Sequence, residues 1–131
     1  MPSIFTRIVN GELPCHRLYE DELSLSFLDL RPINPGHALV IPKQEIDYIF
    51  DVPDEVLQHL MVVAKTVARA IDATVTCERV GIIVAGLEVP HAHIHLVPIS
   101  GISDINFANA KPADADDLAA LAKRIRARLA D

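Results

Sequence analysis

Apolar residues along the chain switch between two periods, and the switches mark out the elements. From Pro53 to Asp72 the residues Val56, Leu57, Leu60, Met61, Ala64, Val67, Ala68 and Ile71 recur at spacings of three and four, which predicts a helix of about five turns with one apolar face. Pro53 suits its first helical position, and Asp54 and Glu55 complement the positive end of its dipole. A second helix is predicted near the C-terminus: Asp114 offers a cap, Leu118, Leu121, Ile125 and Leu129 share a face, and Lys123, Arg124, Arg126 and Arg128 suit the negative end. Ser3 can cap a short helix over Ile4 to Val9, with Asn10-Gly11 as its left-handed stop.

Elsewhere the period is two. Leu23, Leu25 and Phe27 alternate with Ser24 and Ser26, and with "CHRLYE" across the polar turn Glu20-Asp21-Glu22 they predict a β-hairpin. "DLRPINPG" is a loop, "HALVIP" a short strand closed by Pro42, and Ile46 to Phe50 a turn of helix. "RVGIIVAG" is predicted as a buried strand, joined by the short "LEV" to a further strand, "HAHIHLV", with which it pairs. Strands separated by two unequal helices predict the α+β class, an antiparallel sheet with a helix packed on it. At 131 residues, half of them hydrophobic, the chain is expected to form one domain over 1–131 that buries roughly two thirds of its unfolded surface.

The last strand poses a chemical question. In extended backbone His91, His93 and His95 project from one side while Ala92, Ile94 and Leu96 project from the other. A solvent-facing row is more readily built from Thr, Lys or Glu, and a core-facing row from Val or Ile. A metal site, a nucleophile and pH-dependent binding are the chemical readings, beside a plain face with one or two rings bonded to backbone. A single ion cannot take all three rings without a bend, because His91 and His95 lie roughly 13 Å apart along a strand, and Glu88 and His37 are the nearest further ligands in sequence. As a nucleophile, the middle imidazole has neighbours on its own face to orient it and to donate to an oxyanion.

Charge and cysteine content narrow the setting. A formal net charge of -6 argues against nucleic acid as a partner, since such proteins gather Lys and Arg on one face. Arg7 and Asn10 interrupt any leader-like run, and Lys65 and Arg69 break the longest apolar stretch, so no membrane association is expected. Cys15 and Cys77 are too few for a disulfide framework and lack a CxxC spacing, which predicts reduced thiols in a cytoplasmic protein.

"HAHIHLV" resembles the His-φ-His-φ-His-φ-φ signature (φ apolar) of the histidine triad family of nucleotide hydrolases and transferases. "SIFTRIVNGELP", "FLDLRPINPGHALVIPK" and "AGLEVPHAHIHLVP" are similar to segments of that family in the same order, over Ser3 to Pro98. The resemblance implies a five-stranded antiparallel sheet with one long central helix, a short N-terminal helix and a C-terminal helix, in a homodimer acting on a small nucleotide without a cofactor. It implies that His93 attacks the α-phosphorus to form a nucleotidyl-histidine, that His91 and His95 hold the phosphate as protonated neighbours, and that His37 completes the site. Histidine rather than glutamine at the third position, His95, points to a hydrolase, with phosphoramidates or dinucleoside polyphosphates as substrates. Phe5, Ile8, Phe27 and Leu30 match the apolar wall around the base and Asp29 the carboxylate on the ribose hydroxyls, while Gly86, Glu88 and Val89 complete the nucleotide-contacting set. By pattern alone Phe27 and Leu30 also read as core, and Asp29 as the start of a loop.

Two departures stand out. Where many bacterial members of the family carry a zinc-binding CxxC, this chain has Ser3 and Thr6, and Glu45 falls near the histidine expected after "IPK"; no metal is expected. Ile83 and Val84 stand near an expected asparagine and Leu87 replaces an expected glutamine, so two phosphate donors are missing. A hydrolase and a nucleotide-binding module with little turnover both remain open from the sequence.

Overall fold

The computed structural model describes residues 2–129. Five strands form one antiparallel sheet in the order β1-β2-β3-β5-β4: β1 Arg17–Glu20, β2 Ser24–Leu28, β3 Ala38–Pro42, β4 Arg79–Ile83 and β5 Ile94–Ile99. Three helices accompany it: α1 Ile4–Val9, α2 Asp54–Asp72 and α3 Ala115–Leu129. This is the α+β arrangement of sheet, long helix and two shorter helices that the sequence predicts. Among the described residues no helix is long and apolar enough to cross a membrane.

Alternation in the central strands divides the interior into two layers. Leu28, Ala38, Val40, Ile94 and Leu96 face α2 and α3 in one buried cluster with Leu60, Val63, Ala64, Val67, Ile71, Leu118 and Ile125. Leu25, Phe27, Leu39 and Ile41 face the other way and close on Phe5 of α1. With both faces covered, β2 and β3 are buried at every position, Ser24 and Ser26 included.

Several elements differ in detail from the sequence reading. Pro53 is the N-cap of α2 rather than its first residue, and the helix turns Val63 and Ala70 inward while Met61 is exposed. The helical turn before it is a short 3-10 segment at Ile49–Asp51, and Leu23 lies exposed in the hairpin turn. β4 is half-exposed rather than buried, because it forms a sheet edge with Ile82 on the open side. Ladder pairing of β5 starts at Ile94, so His91 and His93 precede the strand: the His91 amide turns back to the Val89 carbonyl at 2.8 Å, and the Ala92 amide donates to the Ile46 carbonyl at 2.7 Å. The inward alternation nevertheless persists, with Ala92 and Ile94 in the core below α2 and the three histidines on the α1 side.

Asn34-Pro35-Gly36-His37 is a tight turn closed by the His37 amide on the Asn34 carbonyl at 3.0 Å, and the Asn34 side chain donates to the Pro98 carbonyl at 2.8 Å. Gly36 has φ +98°, and a Cβ there would stand 3.2–3.3 Å from Pro98, Ile71 and Val75. Backbone conformation and space both require glycine. Gly36→Ala is therefore expected to destabilise the fold by about 1–3 kcal/mol, read as a lower urea midpoint at unchanged m-value; an unchanged midpoint would show that the turn is not so constrained.

Candidate active site

The three histidines and His37 are all buried, which excludes a solvated face. Their rings form one continuous array. Phe5 of α1 packs edge-on against His91 and His93, His93 edge-on against His95 with centroids 4.9 Å apart, and His95 lies tilted against His37 at 5.1 Å. Each ring arrives from a different local structure: His91 and His93 from the turn before β5, His95 from β5 opposite Leu39, and His37 from the turn before β3.

Backbone partners determine where the ring protons sit, because an amide can only donate and a carbonyl can only accept. The Ile33 amide donates to His37 Nδ1 at 3.0 Å, so in the neutral ring the proton is on Nε2 and points at His95 Nδ1, 2.9 Å away. His95 then accepts at Nδ1 and carries its proton on Nε2, a buried atom with no hydrogen-bond partner. The His91 carbonyl takes the Nδ1 proton of His93 at 2.7 Å, leaving His93 Nε2 as a bare lone pair. His91 Nε2 donates to the Pro42 carbonyl at 2.8 Å, and its Nδ1 lies 2.8 Å from the Ser3 hydroxyl. A nucleophilic nitrogen and an unsatisfied N–H donor thus stand on neighbouring, touching rings.

Burial keeps the supporting rings neutral. It pushes His37 down to about 4 and His95 down to about 3, with the neighbouring imidazoles His37 and His93 adding to the fall at His95. His91 is also lowered, first by burial, against the opposing pull of the Pro42 carbonyl. The expectation of protonated neighbours is corrected accordingly: the donors are neutral N–H groups held in place by backbone, since a buried cation would lack a counter-charge at contact distance. Asp29 comes nearest, its Oδ2 lying 3.6 Å from His37 Nε2. Its own carboxyl is pushed up by burial, opposed by the Arg31 amide on Oδ1 at 2.9 Å and by His93. Ligand atoms of Asp29, His37 and His95 lie within 4.8 Å of one another, the spacing of a metal site. The Ile33 amide argues against that use, because it forces the proton onto the His37 nitrogen that would have to coordinate.

Beside the array lies a cavity of about 300 Å³ lined mainly by apolar surface, with His93 and His95 among its lining residues. Phe5, Ile8, Phe27, Asp29, Leu30, Glu88 and Val89 line it, so the sequence-selected pocket residues fall together. Gly86 does not: it borders a second cavity of about 400 Å³ that His93 also lines, with Tyr48, Phe50, Val84 and Leu87. Phe27 serves both readings of the pattern, packing on Phe5 in the core while facing the cavity, whereas Leu30 is exposed. Several contributors escaped the sequence reading. The Ile33 amide and Pro42 carbonyl are backbone groups without a side-chain signal, and Phe107 comes from an irregular segment with no periodicity, yet packs edge-on against His95 at 4.8 Å. That segment is tied to the Asp29 loop by the Ala113 amide on the Leu30 carbonyl at 3.1 Å.

Comparison with known proteins agrees with this geometry. Residues 10–101 match the family model described as HIT domain. The adenosine 5'-monophosphoramidase HNT1 of Saccharomyces cerevisiae is 39% identical over 96% of this chain and 82% of its own. Among solved structures, a HIT-like protein from Bartonella henselae described as involved in cell-cycle regulation superposes with a TM-score of 0.86 at 27% identity, over 96% of this chain and 95% of the other. A zinc-bound histidine triad family protein from Mycobacterium smegmatis gives 0.82 at 32% identity, over 97% and 92%.

Neutral burial has a thermodynamic consequence. In the unfolded chain the rings ionise near 6.5, whereas folded His37 does so at about 4 and His95 at about 3. Between those values only the unfolded chain takes up protons, so their contribution is fully present above pH 6.5 and is lost as pH falls from 6.5 toward 4. Urea midpoints measured from pH 7.5 to 5 are expected to fall, and less steeply in His37→Gln; equal slopes in the two proteins would contradict neutral burial of His37.

Proposed function

The chain belongs to the HIT (histidine triad) family, and within it we propose that this protein is a nucleotide hydrolase of the phosphoramidase type, acting at the α-phosphorus of nucleoside phosphoramidates or related conjugates. The observation that carries the reading is the pairing of His93 Nδ1 with the His91 carbonyl, which leaves Nε2 unprotonated on a ring that lines an apolar cavity, next to His95 with its unpartnered N–H. A base fits the wall of Phe5, Ile8, Phe27 and Val89, and the Asp29 carboxylate suits ribose hydroxyls at its rim. Identity to the yeast phosphoramidase over nearly the whole chain supports the same substrate class.

In this reading the Nε2 lone pair of His93 attacks phosphorus, the phosphorus–nitrogen bond to the leaving group breaks, and the departing amine takes a proton from solvent water. His95 Nε2–H donates to a phosphoryl oxygen, an interaction that strengthens as charge develops there. Water then opens the nucleotidyl-histidine bond and frees His93 for the next cycle. His37 acts through His95 by holding its tautomer. We further infer one working domain over 1–131, a cytoplasmic setting and a homodimer. The half-exposed edge strand β4, with Ile82, Val84 and Leu87 apolar and exposed along and after it, supports the dimer.

A nucleotide-binding module with little turnover is the second reading. It is favoured by one observation: the segment before the histidines offers apolar Val84 and Leu87 where phosphate donors would serve catalysis. Acid-quenched intact-protein mass spectrometry with adenosine 5'-phosphoramidate separates the two. Wild type is expected to gain an adenylyl adduct and His93→Ala none, with turnover down by at least about 10³-fold. Nucleotide binding by both proteins without adduct or release would establish the module instead.

A further inference from the structure

We propose that Ser3, Thr6 and Glu45 form a hydrogen-bonded clasp that positions the histidine array, with the Ser3 hydroxyl donating to His91 Nδ1 and so fixing the residue whose carbonyl aims His93. Its effect on rate rests on the hydrolase reading; its effect on the His91 ring does not.

The partners of His91 assign a role to each of its nitrogens. His91 Nε2 gives its proton to the Pro42 carbonyl, so Nδ1 has only a lone pair to offer and needs a donor. Two hydroxyls are within reach, Ser3 at 2.8 Å and Thr6 at 3.3 Å. Thr6 is committed elsewhere, since its hydroxyl donates to Glu45 Oε1 at 2.6 Å. Ser3 receives the Thr6 amide on its oxygen at 3.0 Å, capping α1, and its own proton has two acceptors in reach, the Thr6 hydroxyl oxygen at 3.3 Å and His91 Nδ1 at 2.8 Å, of which His91 is the closer. The same carboxylate oxygen of Glu45 takes the Ser3 amide at 2.5 Å. Hydrogen bonding from Thr6, then from Ser3, holds the Glu45 carboxyl down at about 2, so it remains an acceptor at any physiological pH.

What the clasp joins gives it consequence. Glu45 lies after β3, Ser3 and Thr6 open α1, and His91 precedes the ladder of β5, so three segments far apart in sequence meet on one imidazole. Held at both nitrogens, the ring cannot turn. Residue 91 is then fixed at side chain and backbone alike, and its carbonyl is the group that sets the tautomer and direction of His93 at 2.7 Å. None of the three clasp residues is among the residues that line the nucleotide cavity, so they act as positioning residues.

Ring nitrogen NMR of the full chain, with single-turnover adenylylation, tests the assignment. In Ser3→Ala, His91 is expected to lose its single-tautomer pattern (Nε2 protonated, Nδ1 bare) and adenylylation to slow by roughly 10–100-fold, while Ser3→Thr, which keeps the hydroxyl, restores both. Glu45 is exposed, so where Ser3→Ala does not fold, Glu45→Ala serves: it is expected to change both readouts in the same direction at smaller amplitude, and Glu45→Gln to behave as wild type. A cap with no further role would leave the His91 pattern of Ser3→Ala as in wild type, and that result overturns the proposal. Equal behaviour of the Ala and Thr variants overturns it as well. Absence of any wild-type adduct would fail the hydrolase reading alone, with the ring spectra still deciding the clasp.

Discussion

Four imidazoles can be packed side by side out of water only if each nitrogen that carries a proton has an acceptor and each that lacks one has a donor, because an unpaired buried polar group costs about 1–3 kcal/mol. Here that requirement is met largely by main chain: the Ile33 amide, the Pro42 carbonyl and the His91 carbonyl each fix one ring. The exceptions are His95 Nε2, buried without a partner, and the bare Nε2 of His93, on two rings that line the cavity. An orphaned donor beside a bare nucleophilic nitrogen is a site waiting for an electrophile with an acceptor oxygen, and a phosphoryl group has that form.

The fold serves this arrangement. Covering both faces of β2 and β3 places one layer of core under α2 and a second, smaller one around Phe5, and the histidines continue the second layer toward the cavity. The glycine turn before His37 and the turn before His93 are the points where regular structure stops, so that ring nitrogens meet backbone groups that no ladder uses. Low polarity around His37 and His95 then favours neutral imidazole, the form in which each keeps one N–H to donate.

Much of this was legible in the residue pattern. The three-and-four spacing located α2 and α3, the cap at Ser3 and the stop at Gly11 located α1, and alternation put Leu25 and Phe27 on one face of their strand and the histidines on one face of theirs. Period alone could not separate core from pocket at Phe27, which is both, nor foresee that β4 would be an edge. The extent of β5 was overestimated because His91 and His93 keep the alternation of a strand while their amides bond outside the ladder. The expectation of protonated neighbours fails because packing buries His37 and His95, and their tautomers depend on main chain such as that of Ile33 and Pro42, whose side chains carry no such information. Phe107 and the Ser3–Glu45 link depend on contacts across 39 to 88 residues of sequence, or on an irregular segment, which local pattern does not encode.

The central claim is that burial keeps the supporting rings neutral while backbone groups fix one set of tautomers, with His93 bare at Nε2. Neutron diffraction from a deuterium-exchanged crystal at pH 7 tests it most directly. The account predicts deuterium on Nδ1 of His93 and on Nε2 of His37, His91 and His95; deuterium on Nε2 of His93, or on both nitrogens of His95, would contradict it.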